Sequence, residues 1–341
     1  MQETNDNQTQ NKTSRQWIRQ YTLLIGENKQ TGLYLTSEDV SNDSGISGLR
    51  ISFEISKDTT NKTNKSKIKI WNLSDKSLDL VEHKDIMIDL AAGYKDDIGA
   101  VRIFFGTSVS VSTHEDNNGL DVVTEIEAMD GGIQLRDSII AVGAAKGTST
   151  ISLIKTCAKK MGLTYNIAGD VQDKPYPTGF SFCNYARYLM DTLCEKLGCS
   201  WSVQNGIVQV ICKKGTAGWQ GSTFNASTGL IGSPERINLS STTADGKSDS
   251  SKSENESKVH DFVETFAKRA KRIADAKASS TNDKKGWKIK TLLAPTVSPG
   301  DEIEIQSKMV EGRFKVDKIT HTGDIMGSDW FSDIEVSEVI K

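Results

Sequence analysis

Three runs in the first part of the chain alternate apolar and polar residues with a period of two: "LRISFEISK" from Leu49, "SKIKIWNLS" from Ser66 and "VRIFFGTSVSV" from Val101. Successive side chains of a strand point to opposite faces, so Ile51, Phe53 and Ile55 predict one buried face, and Ile68, Ile70 and Asn72 another. Many short antiparallel strands leave unpaired edges unless the sheet closes on itself. Residues 17–140 are therefore expected to form a first β-barrel, preceded by a flexible polar N-terminus at 1–16. The Asn118–Gly119 pair in "HEDNNGLD" is a hairpin signal, and its acidic residues lack the spacing of a calcium loop.

The same period returns in "LLAPTVSPGDEIEIQSKMVEGRFKVDKITHTGD", from Leu292 to Asp324. It reads as a strand, a Pro-Gly-Asp turn, and two more strands around a Glu-Gly turn, with Ile303 and Ile305 on one side of the first arm and Phe314 and Val316 in the second. Residues 216–341 are expected to form a second barrel.

Between them the period changes. "TSTISLIKTCAKKMGL" places Ile151, Ile154, Ala158 and Met161 on one helical face behind Thr and Ser caps, with Gly162 as the stop. A second helix carries Tyr185, Leu189, Leu193 and Leu197, with Ser181 as its expected cap, and ends at Gly198. "CSWSVQNGIVQVI" then reads as a hairpin around Asn205 and Gly206. Residues 141–215 are thus a small α+β domain, and the chain as a whole is mainly β.

The second barrel is interrupted at 238–286. "SSTTADGKSDSSKSENES" has nothing larger than Ala to bury and is expected to be disordered. Residues 258–278 follow as an amphipathic helix whose apolar face holds Val259, Phe262, Val263, Phe266 and Ile273. Left bare, such a stripe would expose a large apolar patch. These residues are expected to dock on a protein surface: the chain's own body, a neighbouring copy or another component. The basic cluster Lys268, Arg269, Lys271 and Arg272 suggests nucleic acid as the alternative partner.

The chain has 341 residues and a formal net charge of -3, which argues against a surface that grips nucleic acid throughout. The N-terminal residues lack a basic start and apolar run, and no segment approaches the ~20 apolar residues of a membrane span, so no membrane insertion is expected. Five cysteines without a CxxC pair read as reduced thiols, mostly small core residues. Motifs for catalysis fall short one by one. "GFSFC" lacks the second glycine of a nucleophile elbow, and "DGKSD" lacks the first glycine and the preceding strand of a phosphate loop. The four histidines have no metal-ligand spacing, and His321 in "ITHTGD" reads as a turn residue with Asp324 as a candidate partner. No catalytic residue, cofactor or metal is expected.

"TGLIGSPERI" from Thr228, then "GWKIKTLLAP", "VSPGDEIEIQS", "EGRFKVDKITHTGD" and "SDWFSDIEV", in that order, resemble the C-terminal half of tail-hub (baseplate hub) proteins of contractile-tailed phages. "RISFEISK", "KIKIWNLS", "AGY" with "IFFG", and "EAMDGG" are similar to that family's first barrel, and "FSFCNYARYLMDTLCEKLGCSWSVQNGIVQVI" to its middle domain. The likeness spans the chain from Trp17 except for the insertion. It implies a homotrimer in which six barrels form a pseudo-sixfold ring between a hexameric tail tube and a threefold spike. DNA would pass through the channel without specific binding, in a virion baseplate assembled in the host cytoplasm. Tape-measure and other baseplate proteins are further candidate partners. Pro234, Pro299 and Gly300 are then expected at barrel corners, and Asp301, Glu302 and Glu304 as lumen acids. A tail-associated cell-wall hydrolase and a nucleic-acid-binding protein acting through helix 258–278 are the alternatives.

Overall fold

The computed structural model describes residues 18–38, 46–83, 85–116, 119–213, 215–239 and 284–339. The first part contains β1 (Arg19–Ile25), β2 (Leu33–Thr36), β3 (Ile46–Ser47), β4 (Ile51–Asp58), β5 (Lys65–Trp71), α1 (Asp75–Val81), β6 (Met87–Tyr94), β7 (Gly99–Glu115) and β8 (Val122–Met129). The middle contains α2 (Gly132–Asp137), β9 (Ile139–Ala144), α3 (Thr150–Lys160), β10 (Thr164–Ile167), β11 (Phe180–Tyr185), α4 (Ala186–Leu197), β12 (Cys199–Gln204) and β13 (Ile207–Cys212). The last part contains β14 (Gly218–Phe224), β15 (Leu230–Leu239), β16 (Lys284–Leu292), β17 (Asp301–Gln306), β18 (Glu311–Asp324) and β19 (Trp330–Glu338).

The fold is mainly β and antiparallel, as the alternation predicts, and the strands of the two halves are joined in one continuous sheet. Fourteen of them form one sheet in the order β15-β16-β19-β18-β4-β5-β8-β7-β6-β1-β2-β3, with β17 beside β18 and β14 beside β17. The reason lies in β18. Its first residues, Glu311 to Lys315, pair with β17, and after a bulge between Val316 and Lys318 the same edge passes to β4, from Lys318↔Asp58 to Asp324↔Ser52. One long strand therefore belongs to both halves, and the bulge bends it where the partner changes.

Each part has a core, and the first also takes in Leu293 and Trp330 from the last part. Ile51, Phe53 and Ile55 of β4 join Ile68, Ile70 and Tyr21 in the first, and Ile303, Ile305, Phe314, Val316 and Ile334 form the second. At about 1.5–3 kcal/mol for each fully buried large apolar side chain, these clusters dominate the favourable side of folding. In the middle part Ile154, Leu189 and Leu193 of α3 and α4 lie over Trp201 and Val210 of the β10-β13-β12 sheet. Leu135 and Ile140 already belong to that core, so the middle unit's packing begins ahead of Ala141.

Several local expectations are met. Ser149 caps α3 by accepting from the Ser152 amide, and Gly198 ends α4 in the left-handed region at φ 75°. Asn205 and Gly206 both have positive φ, 53° and 78°, as a two-residue hairpin turn needs. Others are corrected. Ser181 lies inside β11, paired with Gly143 of β9, and the residue preceding α4 is Tyr185, which makes no side-chain cap. Asn72 is not a strand residue: its φ is 56° and β5 stops at Trp71. The turn between β17 and β18 is built by Ser307, whose hydroxyl accepts from the Met309 and Val310 amides, while Glu311 and Gly312 already belong to β18. Asn118 lies outside the described residues.

The seam between the halves is tight at one glycine. A Cβ on Gly323 would meet the Phe53 ring at 2.3 Å, and Phe53 is itself held edge-on to Trp330 at 5.4 Å. Overpacking of this kind costs about 1–3 kcal/mol. Gly323→Ala is expected to lower the free energy of urea unfolding by about 1–3 kcal/mol, seen as a lower midpoint; an unchanged midpoint would mean that the seam has slack.

Candidate assembly site

β4 reads Ile51, Phe53, Ile55 and then Lys57 on its inward face, so the same alternation that builds the first core carries a lysine into it. Lys57 is 2% exposed and donates from Nζ to Asn205 Oδ1 at 2.8 Å. Asn205 sits in the tip of the β12–β13 hairpin of the middle unit. Its amide and that of Gly206 donate to Asp130 Oδ2 and Oδ1, at 2.5 and 3.0 Å, and Asp130 is the fully buried residue just after β8. Burial lowers the Lys57 pKa to about 8, with Asp130 opposing that shift. Burial also raises Asp130, while Lys57 and the two amides work to hold its charge.

A second set of bonds fastens the same hairpin to the first part of the chain. Asn64 donates to Val203 O at 2.7 Å and to Gln204 Oε1 at 3.0 Å, and Gln204 donates back to Asp58 O at 2.7 Å. Gly206 suits this position because its φ of 78° strains other residues, and a Cβ would also come within 3.1 Å of the Phe105 ring. The hairpin tip is thus a plug in a socket formed by β4, β8 and the loop before β5.

His321 stands on the other side of this node. It is not at a turn: it lies inside β18, opposite Ile55 and Ser332, and is buried. Ser332 Oγ accepts from the Ala294 amide at 3.0 Å, which leaves its proton for His321 Nδ1 at 2.8 Å. Asp324 is not its partner, since three positions along a strand face opposite sides. Asp324 instead pairs with Arg50 at 2.7 Å, and Arg50 lies over Trp71 at 4.2 Å. Burial works to raise the Asp324 pKa, but Arg50 and the amides of Met326 and Gly327 outweigh it. Arg19 completes this edge by donating to the carbonyls of Asp324 and Gly327, at 2.7 and 2.5 Å.

The sequence-predicted corner and lumen residues divide. Pro299 and Gly300 do form a turn, closed by the Asp301 amide on Ser298 O at 3.1 Å, with Gly300 at φ 94°. Asp301, however, is 5% exposed and accepts from the Ser298 amide at 2.8 Å, so it serves the turn and cannot line a channel. Glu302 and Glu304 share the opposite face of β17. Glu302 meets Arg313, which lies over Trp219, and Glu304 accepts from Thr223 at 3.3 Å. The three acids are therefore not brought together. Pro234 is not at a corner either: it lies within β15, in a bulge between Ile231 and Glu235. A proline lacks a donor, which a strand tolerates at an edge or a bulge. Val259, Phe262, Val263, Phe266 and Ile273, with the basic cluster beside them, lie outside the described residues.

The second half of the large sheet ends in two edge strands. β15 is bonded only to β16, and β14 only to β17, among the described residues. Beside β15 a groove of about 890 Å³ is lined by Leu230, Gly232, Pro234, Gln306 and Lys308, and Ile231 is 40% exposed. The segment 240–283 connects the paired ends of β15 and β16. Among the described residues, no three His, Cys, Asp or Glu side chains are grouped to hold a metal ion, and no helix is long and apolar enough to cross a membrane.

Comparison with known proteins gives no match to any family model and none to a curated protein sequence. Solved structures do share the fold. The 43 kDa tail protein of prophage MuSo2 from Shewanella oneidensis is similar over 94% of this chain and 98% of its own, at a TM-score of 0.56 and 10% identity. The tail protein from Neisseria meningitidis MC58 is similar over 94% and 97%, at 0.57 and 9%. A chain of the half-lidded Francisella PdpA–VgrG complex is similar at 0.53 and 8%, over 94% of this chain but 58% of that one.

The His321 environment sets a pH dependence. Burial, with Lys57 adding to it, lowers the folded pKa to about 3, whereas an unfolded histidine takes up its proton near pH 6.5. Between those values the unfolded state holds the extra proton, so stability falls as pH drops through that window. His321→Gln is expected to lose less stability than the parent chain on going from pH 7 to about pH 4.5, by roughly 2–3 kcal/mol in urea unfolding. Equal losses would show that His321 is not buried neutral.

Proposed function

We propose that this chain is a structural hub protein of the tail baseplate of a contractile-tailed phage. In this reading it forms a trimeric ring between a hexameric tail tube and a threefold spike. The observation that carries the reading is the fold shared with two tail proteins, one of them from a prophage, over nearly the whole of both chains. The strand edges support it. An unpaired edge such as β15 or β14 invites association, and a ring of copies covers it. The likeness to a chain from the PdpA–VgrG complex fits a protein that works inside a larger assembly.

The role is mechanical, so binding surfaces and not a reaction centre carry it. DNA traverses the ring, and a channel wall that is acidic or neutral lets it pass without sticking. Glu302 and Glu304 are the candidates for that wall, with Arg313 leaving the surface close to neutral. Tube, spike, tape-measure and other baseplate proteins are its partners, and the virion tail is its place, with assembly in the host cytoplasm. The apolar face at Val259, Phe262, Val263, Phe266 and Ile273 is proposed to dock on a protein surface during that assembly.

Light scattering on the purified chain, alone and mixed with its spike and tube proteins, tests the ring. A trimer is expected alone or on meeting the spike, and Ile231→Asp on the β15 edge is expected to weaken it without changing the circular dichroism spectrum. A chain that stays monomeric with both partners present would contradict the proposal.

A further inference from the structure

Cys199 opens β12 and Cys212 closes β13, and the hairpin register sets them directly opposite one another. Their sulfurs lie 3.9 Å apart, and all five cysteines of the chain are free thiols. Backbone bonding fixes which kind of pair this is. The Lys213 amide donates to Gly198 O at 3.2 Å, so the next pair inward, Cys199 with Cys212, is a non-hydrogen-bonded one. In such pairs the Cα atoms stand about 4.5 Å apart and the side chains are closest, which is within the roughly 4.4–6.8 Å that a disulfide bridges. Side-chain rotation alone can bring the sulfurs to a bond, with no demand that the strands move.

Access differs between the partners. Cys199 is buried beside Leu197 and Trp201, and burial followed by the nearby Cys212 pushes its thiol up to about 12. Cys212 is partly exposed at the hairpin's open end. Elsewhere, Cys183 is exposed on β11, while Cys157 and Cys194 are buried in the middle core, where burial raises both thiols.

We propose that Cys199 and Cys212 form an oxidation site at which a low-molecular-weight disulfide converts the facing thiols into a cross-strand disulfide. The partly exposed Cys212 gives up its proton and its thiolate attacks one sulfur of the small disulfide, breaking that S–S bond and releasing one small thiol. Cys199 then loses its proton and attacks Cys212 Sγ, the new S–S bond forms, and the second small thiol leaves. Two protein thiols are oxidised by two electrons and one small disulfide is reduced to two thiols. The resulting staple closes the open end of the hairpin whose tip is held by Lys57 and Asp130, so it ties the socketed plug to its own stem.

The full chain is incubated under native conditions with oxidised glutathione, blocked with iodoacetamide, digested and mapped by mass. Free thiols are expected to fall from five to three, with a linked peptide containing Cys199 and Cys212 that dithiothreitol reverses. The melting temperature should rise on oxidation in the parent chain and stay unchanged in Cys212→Ser. The proposal is overturned if Cys199 remains fully alkylated while Cys212 or Cys183 carries only glutathione. It is equally overturned if the linked peptide forms only in denaturant.

Discussion

The pairing of β18 with β4 is what turns two cores into one molecule. Without it, the order of strands would break into a first sheet ending at β4 and a second ending at β18. A bulge between Val316 and Lys318, in the pairing with β19, lies where β18 passes from β17 to β4 and bends the strand there. Gly323 against Phe53 then sets how closely the two halves approach, and the Arg50–Asp324 pair and the Arg19 contacts hold the end of the seam.

At the seam the protein buries polar groups where apolar ones would have packed more simply. An unpaired buried ion costs several kcal/mol, so Lys57 is tolerable only because Asn205 and the Asp130 charge answer it. The same partners position the β12–β13 hairpin. An apolar side chain at position 57 would hold the sheet together equally well but would accept a range of hairpin placements, whereas hydrogen bonds accept one. The bonds fix the relation of the hairpin to the sheet at the cost of burying charge.

Much of this was readable from local pattern. Ile51, Phe53 and Ile55 announce the first core, Ile303 and Ile305 the second, and Asn205–Gly206 the hairpin. Lys57 falls on the same parity as Ile55 and could have been placed inside, but its partner comes 148 positions later and no local signal names it. His321 was hidden because "ITHTGD" carries turn-forming residues that here continue a strand, backed by β4 and β19. Pro234 and Ser181 show the same limit. Both are residue types favoured at turns or caps, and tertiary pairing placed both inside strands. The continuous sheet itself could not be read from alternation, because the period of a strand says which face is buried and is silent on which strand lies alongside.

The mechanical reading requires that the hairpin plug and the seam open together and not one before the other. Native-state hydrogen exchange measures this directly, through the amides of Asn205 and Gly206 in the plug and of Lys318 to Asp324 in the seam. The account predicts a single opening free energy for both sets, falling by the same amount in Asp130→Ala. Plug amides that exchange at a much lower free energy than the seam, or a variant in which only the plug loosens, would contradict it.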